Sequence, residues 1–417
     1  MTKGSLRDLA ERPAVCPVIL SIPFLVVIVL SHGLTQPVST FHGADELCYH
    51  YPVIQKFAVE FPRLDLSDYQ SATTPLFHIL FALAGKAVGF ELYKLRFLNV
   101  LVSYLAVWVL FRLLHRDLRV GRGQALTFAL LFALSPYFFG ASFILLTDNL
   151  ALLFCFLTLR AAMKFRQTNR LRDFAVTSGL MAACLLTRQI HFWLTLIAGY
   201  YLATSPLRIQ AKAGGLTVMA ACLLPLGLLM ITWRGLVPPS FSGYEGTPFN
   251  IRPVNYFLAL VGLYAFLCAP QMITQQFAPR WQLGVLVVAG VVLLVLRPMS
   301  WVFGDDGYLW RVSAHVPAVY SSSVVFWLLV PMGLIAIYDY AVGPDRESLP
   351  LVYLAAFALV SLSNRVVYQK YYDPFALLLV FLLTGRRSST RFGNAGRLLM
   401  GLGFIAYALL HALQVTT

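Results

Sequence analysis

The chain has 417 residues, of which 59% are apolar and only 12% charged, and its mean hydropathy is +0.73. A water-soluble domain of this size could not bury so much apolar surface, so the sequence predicts an all-α, polytopic membrane helix bundle. The formal net charge of +14 does not indicate nucleic-acid binding. Its basic residues lie in short linkers between apolar runs, and none of these linkers forms a basic stripe with interleaved aromatic residues. The six cysteines include no CxxC pair and indicate no disulfide or zinc framework.

The apolar runs predict about thirteen membrane-spanning helices. The predicted helices are 15–33, 94–114, 124–140, 143–162, 174–187, 190–204, 213–234, 253–270, 281–297, 321–340, 350–363, 371–384 and 395–414. No polar stretch is long enough to form a separate soluble domain, so we expect a single membrane domain over residues 1–417. The first run has no small-residue cleavage site and is interpreted as an uncleaved anchor helix.

One further apolar run, TPLFHILFALAGKAVGF (74–90), decides the topology. If this run spans the membrane, every later loop changes side. If it lies in the interface, the cytoplasmic loops hold 20 of the 32 Lys and Arg residues but only 7 of the 18 acidic residues. The positive-inside rule favours this second arrangement. Residues 34–93 are therefore predicted to form a long external loop that carries interfacial helices, with a cytoplasmic N-terminus and an external C-terminus.

The first part of the predicted external loop contains the segment FHGADELCYHYPVIQKF (41–57), which places Asp45, Glu46 and His50 within six positions. A carboxylate at the mouth of a membrane helix can remove a proton from an attacking hydroxyl group. The alternative is structural, because acidic residues also stabilise the N-terminus of a surface helix through its dipole.

Two segments farther along the chain carry polar residues into apolar surroundings on the same predicted face. LLTDNLALLF contains Asp148, and TRQIHFW contains Arg188 and Gln189. A carboxylate inside a membrane helix is costly and requires a partner or a water-filled cavity. Asp148 is therefore interpreted either as part of a site or as a structural partner of Arg188. His191 and His78 lie in apolar sequence and are expected to be packed or hydrogen-bonded rather than catalytic.

The second half of the chain adds two polar segments on the predicted external face. GDDGYLWRV contains Asp306 and Arg311, and NRVVYQKYYDPF contains Arg365 and Lys370. Cations near the lipid boundary suit the phosphate of a lipid-linked substrate. Two structural alternatives remain open: GDDG is also a turn sequence, and arginines at this depth can be interfacial anchors.

Several of these segments together resemble the GT-C superfamily of glycosyltransferases, which are multi-spanning enzymes. The resemblance begins at DELCYHYPVIQKF and continues through TTPLFHILFALAGKAVGFELYKLRFLNVLVS (73–103), where it is similar to the protein-mannosyltransferase-like branch. The order of DE, TTP, LRFLN, LLTDN and TRQIHFW is also similar to that in dolichyl-phosphate-glucose-dependent α-1,2-glucosyltransferases. This narrower likeness covers about the first half of the chain.

The resemblance implies a membrane glycosyltransferase that takes a sugar from a polyprenyl-phosphate-linked donor and transfers it to a hydroxyl of a lipid-linked or cell-envelope glycan. Asp45 would be the general base, and Glu46 would orient the acceptor or support Asp45. Inversion at the sugar is expected. No cofactor is required, although Asp45, Glu46 and Asp148 could together hold a divalent cation. The residues expected to bind substrate are His50, Asp148, Arg188, Gln189, Asp306, Arg311, Arg365 and Lys370.

Two other classes of function remain as alternatives. A transporter or flippase of lipid-linked saccharides would also need charged residues at a membrane cavity, but the sequence has no internal repeat of the kind many transporters show. A structural membrane subunit would leave Asp148 and the long first loop unexplained. The sequence contains no N-glycosylation sequon. A bacterial cytoplasmic membrane is therefore favoured as the location, with the endoplasmic reticulum as the alternative and the active site on the external or lumenal face.

Overall fold

A computed structural model describes residues 15–35, 43–244, 246, 249–274, 279–302, 305–344, 346–385, 387 and 390–413. The helices fall into two compact units, residues 1–245 with 404–417 and residues 246–403, which are described separately. The expectation of one membrane domain over the whole chain stays a prediction.

The described residues of the first unit form helices, turns and loops but no strand. Its α-helices, in chain order, are α1 (Val15–Leu30), α2 (Gly43–Asp45), α3 (Tyr51–Glu60), α4 (Leu76–Val88), α5 (Leu92–Arg112), α6 (Arg122–Leu134), α7 (Pro136–Ser142), α8 (Asp148–Thr168), α9 (Leu171–Thr187), α10 (Trp193–Thr204) and α11 (Ile209–Trp233). Short π-helical turns cover Glu46–His50 and Leu113–Asp117, and 3₁₀ turns cover Gln189–Phe192 and Pro239–Tyr244.

The second unit contains the remaining helices and one short hairpin. Its helices are α12 (Arg252–Cys268), α13 (Gln271–Thr274), α14 (Arg280–Leu296), α15 (Tyr308–Ala314), α16 (Val324–Val342), α17 (Ser348–Ser361), α18 (Asp373–Thr384) and α19 (Arg391–Leu413), with a 3₁₀ turn at Gln369–Tyr371. The residues of α19 from Phe404 onward belong to the first unit. The antiparallel strands β1 (Ala318–Val319) and β2 (Ser322–Ser323) were not predicted. Positive φ angles at both turn residues, Tyr320 and Ser321, give this hairpin the twist typical of two-residue β-turns.

The helical membrane bundle is confirmed, and each of the thirteen predicted spans contains a helix. Among the described residues, four helical segments are long and apolar enough to cross a membrane alone: Leu92–Asp117, Ile209–Trp233, Val324–Val342 and Phe392–Leu409. The pair α6 and α7 would make a fifth span if counted as one, although it bends by 67°. The helices of the other predicted spans are shorter, apart from the 21-residue α8, which is less apolar, so the number thirteen and the external first loop stay predictions.

Two predicted helices differ in their bounds. The predicted helix 124–140 bends between α6 and α7, where Ser135 precedes Pro136, because the proline ring disfavours helical geometry at the preceding residue. The predicted helix 143–162 begins only at Asp148. The segment before it is held out of the helix by the buried amide of Asn99, which donates to the carbonyls of Ala141 and Ile144 at 2.8 and 2.6 Å.

The predicted external loop forms a compact helical layer in its described part. α3 and α4 pack against each other around a core that includes Ile54, Phe57 and Phe77, and Trp233 of α11 joins the same cluster. The indole of Trp233 donates to the carbonyl of Leu66 at 2.6 Å. The loop is therefore held by both apolar burial and specific hydrogen bonds, which gives the residues before α3 a fixed base.

Close packing of α12 against α16 organises the second unit. A Cβ atom added to Gly262 would lie 2.1 Å from the carbonyl oxygen of Leu329, and one added to Gly333 would lie 2.2 Å from that of Leu258. Only glycine allows this approach. Small residues at crossing points are typical of helix pairs in membranes, where van der Waals contact drives association.

Candidate active site

Glu46 is fixed inside the first unit by a bidentate ion pair. Its side chain is 1% exposed. The guanidinium of Arg96 donates from Nε to Oε1 at 2.9 Å and from Nη2 to Oε2 at 2.5 Å, and the backbone N–H of Leu145 donates to Oε1 at 2.8 Å. Both carboxylate oxygens are therefore occupied, and Glu46 joins the first-loop helices to α5 and to the segment that precedes α8.

Arg96 received no role in the sequence analysis, although it lies within the quoted motif LRFLN. It is 3% exposed and also donates from Nη1 to the carbonyl of Leu34 at 3.3 Å. An arginine within an apolar helix requires a partner and is by itself a signal of a buried ionic contact. That signal was present in the sequence, but nothing in it identifies Glu46, fifty positions earlier, as the partner.

Asp45 directly precedes Glu46 and ends α2. Its side chain is half-buried, whereas that of Glu46 is fully buried. The ion pair of Glu46 therefore fixes the backbone one residue from Asp45 while leaving part of the Asp45 side chain accessible. This arrangement suits a carboxylate that must meet a substrate, and it fits the supporting role of Glu46 better than the acceptor-orienting role.

His50 lies at the other end of the same π-helical turn and makes a second internal contact. Its Nδ1 is 2.9 Å from Nε2 of His78, and the two rings stack with centroids 5.2 Å apart. His50 is 7% exposed and His78 is fully buried. The structure thus places His50 against α4, where it can position the turn, while the expected packing of His78 is observed.

Asp148 and Arg188 form the ion pair that the sequence analysis gave as an alternative. Asp148 is the first residue of α8 and Arg188 directly follows α9; their carboxylate and guanidinium are in contact. The pair retains some exposure, 21% for the Asp148 side chain and 10% for that of Arg188. The pair is therefore partly accessible to solvent. An anion could compete with the Asp148 carboxylate for the Arg188 guanidinium.

Residues next to this pair set its surroundings. His191 lies in the 3₁₀ turn between α9 and α10 and is 3% exposed. Burial, with a smaller effect from the Arg188 charge, lowers the pKa of His191 to about 3, although the Asp148 charge opposes both. The imidazole is therefore neutral at neutral pH. Gln189 donates to the carbonyls of Ala72 and Leu236 at 2.8 and 3.2 Å, which makes it a tie between two loops.

The contacts of Glu46 and Asp148 are connected through residues near the start of α8. Leu145, which donates to Glu46, lies three residues before Asp148. Asn149, the next residue of α8, is fully buried and donates to the hydroxyls of Ser103 and Ser142 at 2.8 and 3.0 Å. The first loop is therefore hydrogen-bonded to the segment that precedes α8, and the first turn of α8 is hydrogen-bonded to α5 and α7.

The acidic pair in the second unit divides into one buried and one surface residue. Asp305 is fully buried, pairs with Arg252, and accepts from the backbone N–H of Val367 at 3.0 Å. Asp306, the residue expected to bind substrate, accepts from Gly307 N at 2.7 Å and lies 3.5 Å from Arg311. The Arg311 side chain is 59% exposed. The contacts of Asp306 are those of a hydrogen-bonded turn rather than those of a formed binding site.

The two other candidate cations of the second unit lie at its surface. Arg365 is exposed, and Nζ of Lys370 lies 5.5 and 5.3 Å from the ring centroids of Tyr368 and Tyr371. Gln369, which directly precedes Lys370, was not predicted from the sequence to have a role. It is buried, its Oε1 accepts from the Tyr256 hydroxyl at 2.9 Å, and its Nε2 donates to a carboxylate oxygen of Asp373 at the same distance.

No group of three His, Cys, Asp or Glu side chains in the described residues is arranged to hold a metal ion. The set considered from sequence was Asp45, Glu46 and Asp148. The bidentate contact with Arg96 occupies the Glu46 carboxylate, and Arg188 neutralises that of Asp148.

Residues 72–233 match the sequence model of a protein family described as dolichyl-phosphate-mannose-protein mannosyltransferase. The match confirms the resemblance to the GT-C glycosyltransferases. It covers α4 to α11, and hence Arg96, Asp148 and Arg188, while Asp45 and Glu46 lie before it. The predicted enzyme class, a multi-pass membrane glycosyltransferase, is confirmed with it.

Two solved structures are also similar to this chain. They are ArnT from Cupriavidus metallidurans bound to undecaprenyl phosphate and the same protein in the apo state. Each alignment covers 88% of this chain and 77% of the other, with a TM-score of 0.44 and sequence identities of 14% and 13%. A search of curated proteins found no match.

Proposed function

We propose that this GT-C enzyme transfers a sugar from a polyprenyl-phosphate-linked donor to a hydroxyl group of a lipid-linked or cell-envelope glycan. The family match supports a lipid-phosphate sugar as donor, since the matching family is described by such a donor. The observation that carries the proposal is the placement of Asp45: half-exposed, and next to a carboxylate that Arg96 holds in a buried bidentate pair.

Asp45 is the proposed general base. Its carboxylate takes the proton of the acceptor hydroxyl as the oxygen attacks the anomeric carbon, the bond from that carbon to the phosphate oxygen breaks, and polyprenyl phosphate leaves. A single displacement with one base inverts the configuration at the sugar. Glu46 holds the backbone of Asp45 in place and makes no contact with substrate in this scheme.

Arg188 is the proposed cation for the leaving phosphate within the first unit. Its planar guanidinium can bind two phosphate oxygens and stays charged at every relevant pH. Asp148 holds it in place before the donor binds, and a phosphate would then share or replace that carboxylate. Preorganised charge of this kind is worth several kcal/mol at a transition state. Asp306, Arg311, Arg365 and Lys370 remain predicted substrate ligands.

The proposal also includes which membrane holds the enzyme and on which side of that membrane the active site lies. The charge asymmetry of the loops favours an external or lumenal site. The lack of N-glycosylation sequons favours a bacterial cytoplasmic membrane over the endoplasmic reticulum.

Mass spectrometry of lipid-linked saccharides, in cells with and without the gene, tests the proposal. Loss of the enzyme should leave a precursor that is one sugar short, and its structure names both the sugar and the acceptor. Purified protein in liposomes separates transfer from transport. A new glycosidic bond supports the enzyme, whereas movement of an unchanged lipid-linked saccharide across the bilayer would replace the proposal with a flippase.

A further inference from the structure

The π-helical turn Glu46–His50 lies between Asp45 and α3 and is held by two polar contacts. The first is the Glu46–Arg96 ion pair, and the second is a hydrogen bond between His50 and His78. We propose that the His50–His78 hydrogen bond is a positioning contact for the general base, which acts with the Glu46–Arg96 pair to fix the turn that carries Asp45. This inference rests on the proposed function, because it takes Asp45 as the base. His50 is then a positioning residue rather than the substrate ligand expected from sequence.

The π-helical turn itself places the two contacts. Glu46 and His50 are its first and last residues and are both buried, whereas Leu47, Cys48 and Tyr49 between them are exposed. Both ends of the turn therefore face the protein, and each makes a polar contact with a different helix, Glu46 with α5 and His50 with α4. π-turns are rare and occur frequently at functional sites.

The surroundings of His78 make the second contact rigid. Its ring is fully buried and is enclosed by the rings of Phe57, Phe77 and Tyr69, with centroids 6.2, 5.4 and 5.8 Å away. A hydrogen bond in such apolar surroundings is strong, and its loss is costly. Because packed aromatic rings prevent His78 from moving, His50 is held to one position.

The direction of the hydrogen bond follows from the second nitrogen of His78. Nδ1 of His78 is buried and has no hydrogen-bond partner among the described residues. A buried lone pair without a partner is tolerated more readily than a buried N–H without one. The proton therefore belongs on Nε2 of His78, which donates to Nδ1 of His50.

Without the histidine contact, Glu46 alone would hold the side chains of the turn, and the turn could shift between that contact and the packed α3. Asp45 lies one residue from Glu46, so a small shift displaces the Asp45 carboxylate from the acceptor oxygen. A displacement of about 1 Å can lower the rate of a catalysed step by about 100-fold. Donor binding, which in the proposed scheme depends on Arg188, would change little. The contact should thus affect kcat and leave KM nearly unchanged.

Two substitutions of His78 separate the hydrogen bond from the packing. His78→Phe keeps an aromatic ring in an aromatic pocket but removes the donor, whereas the side-chain amide of His78→Gln can still donate to His50. The assay uses polyprenyl-phosphate mannose as donor probe and a cellular extract of lipid-linked saccharides as acceptor. We expect kcat to fall about 10- to 100-fold in His78→Phe and less than about threefold in His78→Gln, with donor KM within about twofold in both.

His115→Phe is the matched control, because the Nδ1–H of His115 donates one local hydrogen bond to the Val120 carbonyl at 3.0 Å, far along the chain from the turn. Its kcat should stay within about twofold of the unmodified enzyme. Equal losses of kcat in the Phe and Gln variants would overturn the role of the hydrogen bond. Normal kcat in His78→Phe, in an enzyme that Asp45→Asn inactivates, would overturn the positioning role.

Cys48 offers a readout that does not depend on catalysis. It lies inside the turn and is the one exposed cysteine of the chain, since Cys222 is half-buried and the other four are buried. A nitroxide label on Cys48, in a Cys222→Ser background, should become more mobile in His78→Phe but not in His78→Gln. Unchanged mobility in both would overturn the proposal. If Asp45→Asn stays active, the base assignment is what has failed, and the label still reports whether the histidines hold the turn.

Discussion

The guanidinium of Arg96 and the carboxylate of Glu46 form two parallel hydrogen bonds, of 2.9 and 2.5 Å, between side chains that are 3% and 1% exposed. Breaking a buried ion pair by removing one partner typically costs about 3 to 5 kcal/mol. We expect Glu46→Gln to lower the melting temperature and to reduce transfer by about 10-fold or more. Arg96→Lys should act similarly, because lysine lacks the planar fork.

The matched control for that pair is Arg160→Lys. Arg160 pairs with Asp117 through its Nε atom, but the two side chains are 28% and 22% exposed. Partly solvated pairs contribute about 1 kcal/mol or less. Thermal unfolding in detergent and the transfer rate measure both effects. Equal, small effects of Arg96→Lys and Arg160→Lys would contradict an anchoring role for Glu46.

Asp45→Asn tests the general base. The substitution keeps the size and most hydrogen bonding of the side chain but removes its basicity. Transfer should fall by about two to four orders of magnitude, with normal expression and folding. Asp65→Asn is the control, since Asp65 is an exposed carboxylate of the same predicted external loop. If the Asp45 variant is nearly as active as the unmodified enzyme, Asp45 is not the base, and the acidic pair only stabilises the start of a helix.

Arg188→Lys tests contact with the donor phosphate. Lysine keeps the charge but cannot bind two phosphate oxygens in a fork, so we expect a higher donor KM and a lower kcat together. Arg234→Lys, at the exposed end of α11, should change neither. Donor titrations measure KM and kcat for both variants, and free polyprenyl phosphate is added as a competitor of the donor. Unchanged kinetics in Arg188→Lys, with no inhibition by the competitor, would argue against this phosphate site.

The buried imidazole of His191 should make the protein sensitive to acid. Its folded-state pKa of about 3 lies below the usual value of 6.5. The unfolded chain therefore binds a proton that the folded chain excludes, and stability present above pH 6.5 is lost as the pH falls towards 3. The melting temperature should drop between pH 7.5 and 5. His191→Gln should reduce that drop, whereas His315→Gln, at an exposed position, should not.

The predicted topology rests on the distribution of charge and can be tested by labelling. Single cysteines at Arg116 and Arg119 should react with an impermeant reagent only from the cytoplasmic side. Cysteines at Leu236 and Ser240 should react from outside. Labelling of the 112–122 segment from outside would mean that α4 spans the membrane, and the proposed face of the active site would then be wrong.

Much of the helical fold follows from the sequence alone. Each of the thirteen predicted runs contains a helix, because a long apolar segment in a membrane must satisfy its backbone hydrogen bonds internally. Asp45, Asp148 and Arg188 could be singled out for a similar reason. A charged residue beside lipid is costly, so its presence in an apolar run is visible without any knowledge of its neighbours.

The partners of these residues were decided only by the tertiary structure. Arg96 is fifty positions from Glu46, and His78 is 28 positions from His50. Local periodicity shows which face of a helix is apolar, but it does not show which helices meet. Hydrogen bonding by Asn99 likewise interrupts a run that reads as helix from residue 143. The sequence determined where the costly charges lie, and packing determined which of them neutralise one another and how deeply each is buried, fully for Glu46 and partly for Asp45.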